Sequence, residues 1–268
     1  MPRISTIWDR TTEVLAGRAG ILTVIAALLL FAPAVAQAVL AAALGEQSVV
    51  VSLWNLVALV LTIWASLSLT AVASDPAVTR EGALATGVAR LGPGLGVLIV
   101  AIVVAIIALL PGIVLLIVGG LKFLPNGKID PASATGGAAL IGMLYFLVLS
   151  LGALWVSARL VPLFAIVVNE RRGLGAFRRS FALTRGSTMK LIGVMILYAI
   201  VLFVVFAATT TVVGLILRLA LGSEATAAVS IGVAIVAGIV TAGAAVMQNV
   251  FSAQFYVATA GDRDMAPA

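Results

Sequence analysis

The groups in this sequence able to bind a ligand are mostly arginines, and they cluster. From Asn169 to Leu191 the chain reads N-E-R-R-G-L-G-A-F-R-R-S-F-A-L-T-R-G-S-T-M-K-L. Arg171, Arg172, Arg178, Arg179, Arg185 and Lys190 stand there against a single acid, Glu170. Basic side chains at a membrane surface attract anionic lipid headgroups, each contributing about 1 kcal/mol. At helical pitch Arg178 and Arg185 share a face, with Phe177 and Phe181 beside them as membrane anchors. Ser180, Thr184 and Gly186 belong to the same wording, and charge does not account for them. Arg159 stands alone, ten residues before the cluster begins, in an otherwise apolar stretch. It either grips a lipid phosphate or a group of carbonyls, or it snorkels to the interface. Arg159, Arg178, Arg179, Ser180, Thr184 and Arg185 are the candidate lipid- or partner-binding residues.

Other chemistries are largely excluded by residue type. The chain has no cysteine and no histidine. That removes disulfides, thiolate nucleophiles, Cys/His zinc sites, haem held through histidine and imidazole acid–base work. The ten acids fall in loops or near the ends, which weighs against a proton- or sodium-coupled carrier. Gly92-Pro93-Gly94-Leu95-Gly96 lacks the Gly-Lys-Ser/Thr ending of a phosphate loop and reads as a helix break. Asp262-Arg263-Asp264 has metal-motif spacing but lies at the C-terminus, where a solvated tail is the simpler reading. We expect no catalytic residues, no metal and no cofactor.

Lipid has to solvate much of this chain. Of 268 residues, 63% are hydrophobic and 10% charged, against roughly 25% charged in ordinary soluble domains. A net charge of +6 would suggest nucleic acid in a soluble protein. Basic cytoplasmic loops produce the same surplus, so no nucleic-acid partner is expected.

The sequence predicts an all-α integral membrane protein, a single polytopic domain over 1–268. Its six spans fall at about 20–44, 49–73, 95–121, 136–161, 191–217 and 225–250, each at least the ~20 residues a helical span requires. Residues 169–190 form the basic cytoplasmic segment. For the first apolar run, cleavage after Ala36-Gln37-Ala38 competes with retention as a span. Ile7, Trp8, Thr11, Val14 and Leu15 form a stripe, and Thr6 with Asp9 has capping-box spacing, predicting a short surface helix. Asp75-Pro76 predicts the start of a second one, running to Leu91. Trp54 and Trp64 lie about 15 Å apart along a helix, too close to mark opposite interfaces, so at least one packs against another helix. Pro111-Gly112 predicts a kink, and Pro125-Asn126-Gly127 a turn. Ser230, Ala234, Gly238 and Ala242 give the last span a small-residue face for close helix packing. Gln248, Asn249 and Gln254 suggest that this helix leaves the hydrocarbon there.

With six spans and a cytoplasmic N-terminus, only Lys122, Lys128 and Arg218 of the 16 basic residues fall outside, which orients both termini inward. Arg18, Arg90 and Arg185 each close a polar segment shortly before an uncharged span. They outline a threefold repeat of one surface helix and two spans.

Between Leu151 and Phe206 the wording resembles a bacterial family of multi-span inner-membrane proteins. That family includes the membrane domain attached to some glycerophosphoryl diester phosphodiesterases, and stand-alone proteins of unknown role. The likeness rests on Pro111-Gly112, Arg159-Leu160, Pro162, Glu170, Gly175, Ala176, Arg179-Ser180, Leu183-Thr184 and Gly186. A loop with Lys122 and Lys128 separates the Pro-Gly from the Arg-Leu here, where one continuous helix would be expected. The resemblance implies the inner membrane and no phosphodiesterase activity, since it does not extend to a catalytic domain. The expected role is non-enzymatic, in envelope or lipid organisation or as a partner scaffold. The alternative is a transporter or channel for a small apolar or lipid-like substrate, suggested by Gln37, Asn55 and Thr209 to Thr211.

Overall fold

The computed structural model describes residues 3–123, 129, 130, 133, 136–222 and 224–264. Among them a short helix followed by two long ones recurs three times. First come α1 (Ile4–Gly17), then α2 (Ala19–Ala26) continued through a π-helical turn (Ala27–Phe31) into α3 (Ala32–Leu44), then α4 (Val49–Ser74). Next are α5 (Arg80–Ala89), α6 (Leu91–Val118) and α7 (Gly137–Leu160), followed by the short α8 (Leu163–Asn169). The last set is α9 (Gly175–Leu183), α10 (Thr188–Leu221) and α11 (Thr226–Asp264). Six helical segments are long and apolar enough to cross a membrane. The chain is an all-α polytopic membrane protein.

Local chemistry explains the irregularities. Pro33 has no N–H to continue the ladder, and the π turn lies just before it, where a widened turn absorbs the missing bond. The proline's own carbonyl accepts from Trp54 Nε1 at 3.1 Å. Trp64 Nε1 likewise donates to Leu84 O at 3.0 Å, so both tryptophans pack against other helices. Gly45 (φ 82°) and Gly222 (φ 83°) close α3 and α10 in the left-handed region, which costs glycine little. α6 and α7 meet closely: a Cβ on Gly112 would lie 2.7 Å from the Tyr145 and Phe146 rings, and one on Gly119 2.3 Å from the Ala139 backbone nitrogen. Lys122–Phe123 and Ile129–Asp130 form a two-residue antiparallel ladder in the α6–α7 connection. The turn Pro125-Asn126-Gly127, Lys128 and the side chains of Asp262, Arg263 and Asp264 lie outside the described residues.

Several helix ends differ from expectation. α1 starts at Ile4 with no side-chain cap, so Thr6 and Asp9 lie inside the helix. Its stripe is sunk into protein: Ile7 packs with Phe255 and Ala258 of α11, while Trp8 stays 43% exposed. Asp75 Oδ1 does accept from Ala77 N at 2.8 Å, but that closes only a turn. The cap of α5 is Thr79, accepting from Gly82 N at 3.2 Å. Gly92-Pro93-Gly94 is no break, since all three lie in the first turn of α6, where a proline N–H would be unpartnered anyway. Gln254 is buried within α11, which runs on to Asp264.

The core sits at one end of the bundle, where α1, α5, α8 and α9 pack around the ends of α4, α7 and α11. We call it the basic end. Lipid removes the hydrophobic drive between spans, so close packing and hydrogen bonds must hold it. α4 is its hub. Its small residues Ala65, Ala71 and Ala73 are buried with Ser68 and Thr70, letting neighbours approach from all sides. On the other side of that contact, Gly87 of α5 fits against Ser68 and Trp64, where a Cβ would come within 2.3 Å of Ser68 Oγ.

Candidate functional site

Two spans, α4 and α7, finish at the basic end with carbonyls that no longer have intrahelical donors. Each is closed by side chains from distant segments. At α4, Arg18 Nη1 donates to Val72 O and to Asp75 O, both at 2.8 Å, and its Nη2 donates to Val78 O. Gln254 Nε2 donates to Ala73 O at 2.6 Å, and Asn169 Nδ2 to Ser74 Oγ at 3.0 Å. A guanidinium at a helix C-terminus also opposes the negative end of the macrodipole.

At α7 the break is made by Pro162, which cannot donate to Ala158 O. The carbonyls turned loose are taken by hydroxyls. Ser180 Oγ donates to Arg159 O at 2.6 Å, and Ser252 Oγ donates to Val161 O. Thr184 Oγ1 donates to Ser180 O at 2.9 Å, within α9. The Arg159 side chain runs the other way, its Nη1 donating to Phe181 O at 3.0 Å. Its guanidinium carbon lies 5.0 Å from the Trp155 ring centre and 5.9 Å from that of Phe181. The two rings meet edge to face, 6.0 Å apart. Such an aromatic box favours a cation without neutralising it.

Glu170 organises the turn into α9. Its carboxylate takes Arg172 Nε and Arg179 Nε, each at 2.8 Å, and Tyr256 Oη at 3.3 Å. Between these anchors Arg171 is held at φ 56°, a conformation that costs a residue with a Cβ about 1–2 kcal/mol. Gly186 (φ 89°) then reverses the chain into α10.

The sequence-derived residues therefore divide into three groups. Ser180 and Thr184 are fully buried, and their hydroxyls are committed to carbonyls. Arg179 is half-buried against Glu170. Arg178 and Arg185 are exposed. Arg159 is joined to this group through Phe181 and does not simply extend into water. Of the small-residue face on α11, Gly238 packs on the Phe31 ring, 3.2 Å from where its Cβ would be, and Ala242 is buried. Ala234 is half-buried, and Ser230 is exposed with its hydroxyl bonded to Ala227 O. Arg18, Gln254, Ser252 and Trp155 were not singled out from sequence as site residues. Trp155 alone left a signal, four residues before Arg159 and so on the same helix face.

No protein-family profile, no curated protein and no solved structure matches this chain.

Proposed function

We propose that this chain is a non-enzymatic protein of the bacterial inner membrane, with both termini cytoplasmic, that organises anionic lipid at its cytoplasmic face. The observation carrying this reading is the two-sided construction of α9. Its inner edge, Ala176, Ser180 and Leu183, is buried. Its outer edge leaves Arg178 exposed, Arg185 is exposed in the turn that follows it, and Lys190 comes at the start of α10. Leu174 and Met189 flank them at 59% and 76% exposure. Cations interleaved with exposed apolar side chains suit the boundary between headgroups and acyl chains. The skew of basic residues to this end supports its cytoplasmic placement. The resemblance to the membrane domain attached to some glycerophosphoryl diester phosphodiesterases agrees with an inner-membrane role.

The transport reading has less support. Asn55 is exposed, and Thr209 and Thr210 give their hydroxyls to Val205 O and Phe206 O of their own helix.

The test is thermal unfolding of the detergent-purified protein with added phosphatidylglycerol or phosphatidylcholine at low salt. Arg178→Gln/Arg185→Gln should abolish most of the extra stabilisation given by phosphatidylglycerol. Equal stabilisation of wild type and variant would remove lipid organisation by this face.

A further inference from the structure

The geometry points to a site for a single phospholipid phosphodiester on the seam between α7 and α9, with Arg159 as its ligand-binding residue. This rests on the reading that the basic end lies at headgroup depth. It differs in what is recognised: the phosphate common to all phospholipids, and not net negative charge.

A guanidinium has five N–H groups. Arg159 uses Nη1 on Phe181 O, and Nη2 makes no hydrogen bond among the described residues. Nε is buried with no acceptor among them. An orphaned buried donor is costly and uncommon, and it calls for a partner. Nε and Nη2 together form the side-on edge of the guanidinium, whose two parallel donors match the two non-bridging oxygens of a phosphodiester. Phe181 O fixes the opposite corner, so the edge is already oriented. Because Nε has no exposed surface, the side chains that cover it must shift as the lipid enters.

The surroundings fit a lipid better than a soluble anion. Trp155 is 38% exposed, suited to an indole at the membrane interface. One and two turns further along the same face of α7 stand Leu151 and Val148, 62% and 67% exposed. They form an apolar track on which an acyl chain can lie while its phosphate meets Arg159. Arg178 lies three residues before Phe181 on α9, and Arg185 is exposed in the turn just past its end; they bias this seam toward anionic headgroups without making the bidentate contact.

The experiment equilibrates the detergent-purified chain with equimolar phosphatidylcholine and phosphatidylglycerol and counts lipid adducts by native mass spectrometry. One adduct should persist, formed with either lipid. Arg159→Met, and Arg159→Lys, which keeps the charge but loses the fork, should each weaken it by about tenfold or more. Millimolar inorganic phosphate should not displace it. An adduct that survives in folded Arg159→Lys protein overturns the site, as does displacement by inorganic phosphate. Arg178→Gln/Arg185→Gln should lower only the preference for phosphatidylglycerol. If that preference is unchanged, the broader reading of the basic face fails while the phosphodiester site stands.

Discussion

From Leu67 to Ala73, α4 is buried at every position, whereas from Leu197 to Phe206 α10 is exposed everywhere except at the half-buried Tyr198 and Leu202. Half of the most apolar window of α4 is buried, against 6% of that of α10. Both segments are uncharged and apolar enough to span, and the less buried of the two is the more apolar, 2.9 against 2.2 in mean hydropathy. Side-chain size and hydroxyl content separate them as well. α4 brings Ser68, Thr70, Ala71 and Ala73 to its contacts, while α10 offers Phe203, Val204, Val205 and Phe206 to lipid. In a bilayer, apolar character says that a helix spans, and small residues say which part of it touches protein.

Substitutions can break or sharpen this contrast. Arg18→Met should have the largest effect, because it removes three hydrogen bonds, to Val72 O, Asp75 O and Val78 O, at and just beyond the end of the hub helix. We expect a loss of about 3 kcal/mol in reversible unfolding, in the range for charge-assisted hydrogen bonds. Ser180→Ala leaves Arg159 O without its 2.6 Å donor and should cost about 1 kcal/mol by the same measurement. Phe203→Ala, at a side chain 71% exposed, should stay within about 0.5 kcal/mol. A loss at Phe203 as large as that at Arg18 would mean that α10 meets a protein partner on this face, and the contrast would dissolve.

These residues also mark what could be read without coordinates. The six apolar segments and the concentration of charge follow from composition and loop counting, which are local properties. The role of Arg18 does not, because its acceptors lie 54 to 60 residues away. The partner of Gln254 is equally hidden, since its acceptor, Ala73 O, lies 181 residues away. Asp75-Pro76 carried a good local start signal. Thr79 starts α5 instead, after a turn from which Val78 gives its carbonyl to Arg18. At the candidate site the arginines were visible and the hydroxyls were visible, but their division into committed and exposed groups was not. That division depends on Glu170 and Pro162 turning α9 back against α7.

One further consequence lies in α11. Ser252 and Gln254 sit two residues apart, which on a helix aims them in nearly opposite directions, one to the end of α7 and the other to the end of α4. During synthesis both ends emerge before α11, so the carbonyls of Val161 and Ala73 lack these two donors until it arrives. The last long helix in chain order thus acts as a clasp. The chain can insert its earlier hairpins one by one, yet the joint that unites them closes in a single late event.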